Sequence, residues 1–84
     1  MIHLYVSSIK VPDEDSTAVA VAREFSTAIH IAQMALSERM TERNEPADFI
    51  SKTLSEHTSP CGRYRIECEV ARWFDPKAPK SVSQ

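Results

Sequence analysis

The apolar residues of this chain change their period twice. Ile2, Leu4 and Val6 recur at every second position, Ile29, Ala32, Leu36 and Met40 at every third or fourth, and Tyr64, Ile66, Cys68 and Val70 again at every second. A period of two buries one face of a strand, and a period near 3.6 buries one stripe of a helix. A strand–helix–strand order in 84 residues leaves room for one small core and one domain. The pattern predicts an α+β fold in the order β-β-α-α-β. A small antiparallel three-stranded sheet should carry its helices on one face.

The first strand ends near Val11-Pro12, with Asp13-Glu14-Asp15-Ser16 as a polar connection. In Thr17 to Phe25, Val19, Val21, Arg23 and Phe25 fall on one face and Ala18, Ala20, Ala22 and Glu24 on the other. A single helix could be drawn from Thr17 to Arg43. The valine alternation and the mid-run Ser26-Thr27 favour a strand followed by a capped helix, with Phe25 as a hydrophobic staple. That helix runs to about Arg43, with His30, Gln33, Ser37 and Thr41 on its polar face. Its pairs Glu38/Glu42 and Arg39/Arg43 are like-charged at i,i+4, so packing must hold it. Pro46 suits the first turn of a shorter helix carrying Ala47, Ile50 and Leu54. Ser59-Pro60-Cys61-Gly62 reads as a turn, and Arg63 to Phe74 as the last strand. The domain is expected to span residues 1–74. Residues 75–84, with two prolines and little to bury, are expected to be a flexible tail. Strand order and the direction of the last strand stay open, because a helical crossover also permits parallel placement.

Charge and composition exclude several classes of function. Ten basic against twelve acidic side chains give a formal charge of −2, which is unsuited to a uniform polyanion-binding surface. A single glycine excludes a glycine-rich phosphate cradle. No apolar run reaches the roughly 18 residues of a membrane span, so no membrane partner is expected. The start Met1-Ile2-His3-Leu4-Tyr5-Val6 has no basic leader segment, and Cys61 and Cys68 have no framework of further cysteines. Reduced thiols and a cytoplasmic location are the expectation.

Catalysis and metal binding find little to build on. His57, Cys61 and Cys68 are too few, and too widely spaced, for a four-ligand zinc site. Cys61 with His57 one helical turn away, and Ser59 beside it, could form a thiolate pair, but no third group stands at a fixed spacing. Glu67 and Glu69 lie about 7 Å apart on one strand face, where Arg63 and Arg65 are expected to neutralise them across strands. No enzyme activity, cofactor or metal is expected.

Binding surfaces are better represented. Residues 63–80 carry a net charge of +2 and residues 1–62 a net −4. Arg63, Arg65, Arg72 and Trp73 could face single-stranded nucleic acid or RNA, although Glu67 and Glu69 interrupt the positive stripe. The acidic run Asp13, Glu14 and Asp15 could occupy a basic groove on a partner. Trp73 is a natural anchor if exposed.

The stretches AVAVAREFSTAIHIAQMALSERM, residues 18–40, and YRIECEVARWFDPKAPK, residues 64–80, fill the strand–helix and last-strand places of a pattern seen in small bacteriophage inhibitors. In this element order the chain resembles the phage inhibitors of bacterial RNA polymerase and the neighbouring anti-CRISPR proteins. The resemblance covers residues 1–80. It implies a non-enzymatic, phage-type inhibitor in the host cytoplasm that occludes a surface of a larger bacterial protein or ribonucleoprotein complex, such as a CRISPR effector complex or RNA polymerase. The expected partner contacts are Asp13, Glu14, Asp15, Arg63, Arg65, Arg72 and Trp73. A nucleic-acid-binding module is the alternative reading, and a homodimer joined through sheet edges is a further one.

Overall fold

A computed structural model describes residues 2–73. The tail expected at residues 75–84 lies outside the described residues, as do the side chains of Arg72 and Trp73. The elements are β1 (Ile2–Lys10), β2 (Thr17–Ala22), α1 (Phe25–Glu42), α2 (Ala47–Glu56) and β3 (Arg65–Trp73). They form the α+β arrangement read from the sequence, β-β-α-α-β. β1 is the central strand, in the order β2-β1-β3, and both of its pairings are antiparallel.

The buried face of β1 is the reverse of the expected one. Ile9 and Val11 are buried in the core, whereas Leu4 and Val6 fall on the face that no helix covers. The register explains the reversal. Ile9 lies opposite Ile66 and Ser7 opposite Cys68, so these side chains share the face on which Tyr64 and Ile66 are buried. Val6 lies opposite Glu69 and Val21, both exposed. β1 carries apolar residues on both faces, and α1 selects the one that holds Ser7.

That selection depends on size. Ala28 and Ala32 of α1 and Ser7 of β1 are all fully buried, and side chains this small let a helix backbone come close to a sheet. The Ser7 hydroxyl donates to the Ala28 carbonyl at 2.9 Å, which satisfies a buried polar group that would otherwise be costly. Leu36 and Met40 continue the stripe where more space opens, packing with Ile9, Val11, Tyr64 and Ile66. α1 therefore touches all three strands.

β2 departs from simple alternation. Ser7 pairs with Ala20 and Ser8 with Ala18, so Val19 is the extra residue of a β-bulge. Val19 packs against the core while Val21 turns outward, 63% exposed. The helix starts also differ from expectation. Glu24 occupies the N-cap, and Thr27 donates to its carboxylate at 3.5 Å rather than capping. Phe25 is already helical and meets Tyr5 edge-on, with ring centroids 5.8 Å apart.

α1 ends in a Schellman motif without glycine. Asn44 takes a left-handed φ of 63°, Asn44 N–H reaches Thr41 O at 3.0 Å, and Glu45 N–H reaches Met40 O at 3.0 Å. Pro46 then sits immediately before α2 rather than in its first turn. Phe49, Ile50 and Leu54 pack on the core from this helix, and Thr53 is fully buried with its hydroxyl donating to Phe49 O at 2.8 Å.

Removing the Ser7 hydroxyl in Ser7→Ala should cost about 1 kcal/mol, the usual worth of one buried hydrogen bond. Ser7→Leu should cost about 1–3 kcal/mol or more, because Ala28 and Ala32 leave no room for it. Urea unfolding of the two variants checks both the values and their order.

Candidate interaction surface

The acidic loop is partly consumed by the fold. Glu14 N–H bonds Val11 O at 3.2 Å, closing a turn in which Asp13 has a left-handed φ of 69°. The Glu14 carboxylate accepts from Arg39 Nη2 at 2.5 Å and Arg43 Nη2 at 3.2 Å. Arg43 also donates to Pro12 O at 3.0 Å, and Lys10 Nζ to Glu14 O at 2.5 Å. Two arginines one turn apart would repel on a free helix. Here they share a carboxylate from the β1–β2 loop and fasten that loop to the end of α1. The hydrogen bond from Arg39 holds the Glu14 carboxyl below its ordinary range, partial burial opposes the shift, and Arg43 adds to it. Asp13 and Asp15 remain exposed.

The structure does not gather the basic residues of the last strand into one patch. Arg65 lies opposite Lys10, while Arg72 lies opposite His3 at the far end of the same strand. Seven strand residues put their backbones about 23 Å apart. Arg65 pairs with Glu67 of its own strand at 3.5 Å, both about half exposed, instead of with a neighbouring strand. Arg63 is exposed in the turn before β3. Trp73 pairs through its backbone with Ile2. Asp13, Asp15, Arg63 and Arg65 thus come to one end of the sheet, with charges of both signs.

That turn is organised by Ser59, 3% exposed. Its Oγ accepts from the N–H groups of Arg63 at 3.1 Å and Tyr64 at 3.2 Å. With both lone pairs used, its own proton points to Cys61 Sγ at 3.2 Å. This bond, reinforced by the Arg63 backbone N–H, lowers the pKa of the exposed Cys61 thiol. Burial, with Glu69 adding, raises that of Cys68. Gly62, at φ 76°, completes the turn through a 2.8 Å bond from its N–H to Ser59 O. Tyr64 donates to Glu45 Oε2 at 2.6 Å and meets the Phe49 ring edge-on. Among the described residues no group of three or more His, Cys, Asp or Glu side chains could hold a metal ion. No helix there is long and apolar enough to cross a membrane.

The surface missed by sequence reading lies on the outer side of the helices. A groove of about 420 Å³ runs between α1 and α2, lined by His30, Gln33, Met34, Ser37, Glu38 and Leu54. Gln33 Nε2 donates to Leu54 O at 3.0 Å and ties the two walls together. Met34 is 55% exposed, and Ile31 also reaches solvent. The available signal was their i,i+3 spacing outside the Ala28–Ala32–Leu36–Met40 stripe. The uncovered sheet face is a second apolar area, where Leu4, Val6, Ala18 and Val21 lie beside Glu67 and Glu69.

Comparisons with protein-family models, with curated proteins and with solved structures find no match to this chain.

A carboxylate whose pKa is lowered by folding stabilises the protein above its unfolded pKa, and that contribution disappears as pH falls through the folded value. Stability should therefore decline on acidification below about 4.5, the ordinary glutamate value. Glu14→Gln should flatten this acid limb while leaving the shape of the curve near neutral pH unchanged. Denaturant midpoints measured across the acid range, at low and high salt, test it.

Proposed function

We propose that this chain is a non-enzymatic binding protein that occludes a surface of a larger bacterial protein or ribonucleoprotein complex. The observation that carries the reading is Met34, more than half exposed beside the groove between α1 and α2. A flexible thioether on a packed helix adapts to an apolar partner side chain at little ordering cost. His30, Ser37 and Glu38 give the groove a polar border, the usual arrangement of an apolar contact centre inside a polar rim. Asp13 and Asp15 extend the candidate contact surface at the β1–β2 loop, with Arg63 and Arg65 at the same end of the sheet.

The phage-type assignment, with a CRISPR effector complex or RNA polymerase as target classes, rests on element order and belongs to this proposal. The nucleic-acid alternative draws less support, because Glu67 competes with phosphate for Arg65.

The test is capture from bacterial lysate, with and without nuclease treatment, by the tagged protein and its Met34→Glu variant. Wild type should retain a discrete complex in near-stoichiometric amount. Met34→Glu should reduce that yield at least about tenfold, the effect of losing a contact hot spot, with unchanged circular dichroism. Equal capture by both proteins, or recovery that disappears with nuclease, would contradict the reading.

A further inference from the structure

Along an antiparallel strand, successive residues turn their N–H and C=O groups to opposite sides. In β3 the even-numbered residues turn away from β1. Ile66 N–H donates outward to His57 O at 2.9 Å, and Tyr64 O accepts outward from Ser59 N–H at 2.9 Å. The segment around Thr58 thus covers the outer edge of β3 only as far as residue 66. Beyond it, the outward N–H and C=O groups of Cys68, Val70 and Arg72 have no strand beside them among the described residues. β2, the other edge, is shorter and carries the bulge at Val19, a common protection against edge pairing. β3 carries neither a bulge nor a proline over Arg65–Trp73. Val70 is 56% exposed there, opposite Tyr5, whose ring packs on the half-exposed Phe25.

We propose that a second copy of this chain pairs antiparallel with this edge, about a two-fold axis at Val70. Val70 then lies opposite the partner's Val70, Cys68 opposite the partner's Arg72, and Glu69 opposite the partner's Ala71. Charge selects this register. An axis at Cys68 would oppose Glu67 to the partner's Glu69, and an axis at Glu69 would oppose that residue to itself, both unfavourable. Both axes would also require the N–H of Ile66, already bonded to His57. An axis at Ala71 would set Cys68 opposite the partner's residue 74, which lies outside the described residues. Among the described residues the Val70 axis alone uses all three outward residues, opposes no like charges, and joins two exposed apolar side chains. The two sheets become one, with both sets of helices on the same face and the Tyr5–Phe25 pairs beside the seam.

The inference is independent of the α1–α2 groove. Sedimentation velocity should show wild type shifting with concentration from 9.5 kDa towards twice that mass. Val70→Pro removes only an outward N–H, and Val70→Lys sets two cations against each other across the axis. Both should remain monomeric at concentrations at least about tenfold higher, with far-ultraviolet circular dichroism unchanged. In a Cys61→Ser, Cys68→Ser background, Val70→Cys should oxidise to a covalent dimer and Glu69→Cys should not, because only facing Cα atoms come within about 5.5 Å. A wild type that stays monomeric, variants that dimerise like wild type, or crosslinking at residue 69 instead of 70 would each overturn the proposal.

Discussion

α1 can lie across this sheet only where the facing side chains are small. Ser7, Ala28 and Ala32 provide that contact, and each is fully buried. The face on which Ser7 stands becomes the core face, and Ile9, Val11, Tyr64 and Ile66 follow because the register places them there. Leu4, Val6 and Val21 are left on the open face for the same reason. A serine in this position is affordable because its hydroxyl lies within bonding distance of the Ala28 carbonyl.

The connections follow a similar economy. The one glycine, Gly62, takes one left-handed position, and the other three among the described residues fall to Asp13, Asn44 and His57, residue types that tolerate this conformation better than most. Each is backed by hydrogen bonds nearby. The arginine clamp on Glu14 secures the first turn, the Schellman bonds secure the second, and the bond from Ile66 N–H to His57 O secures the third.

The sequence revealed the fold more clearly than the surface. Ile29, Ala32, Leu36 and Met40 announced α1 because burial on one side of a helix imposes its own period. Tyr64, Ile66 and Cys68 did the same for the inner face of β3. β1 misled, since Ile2, Leu4 and Val6 alternate as cleanly as Tyr5, Ser7 and Ile9, and the most deeply buried member of the second set, Ser7, is polar. The bulge at Val19 was hidden because TAVAVA alternates perfectly as a string. Glu14 stands among the expected partner contacts, yet Arg39 and Arg43 hold its carboxylate. No local pattern could show that, because residues 25 and 29 positions away supply the arginines. Ile31 and Met34 were visible as letters, yet only the position of α2 turns their neighbourhood into a groove.

The face chosen by α1 governs which apolar residues remain for a partner. Nuclear Overhauser contacts between methyl groups measure it directly. Ile9 should show contacts to Leu36 and Met40, with which it shares the core, and neither Leu4 nor Val6 should show any to α1. Strong contacts from Leu4 or Val6 to Leu36 or Met40, with Ile9 silent, would reverse the buried face and contradict the account.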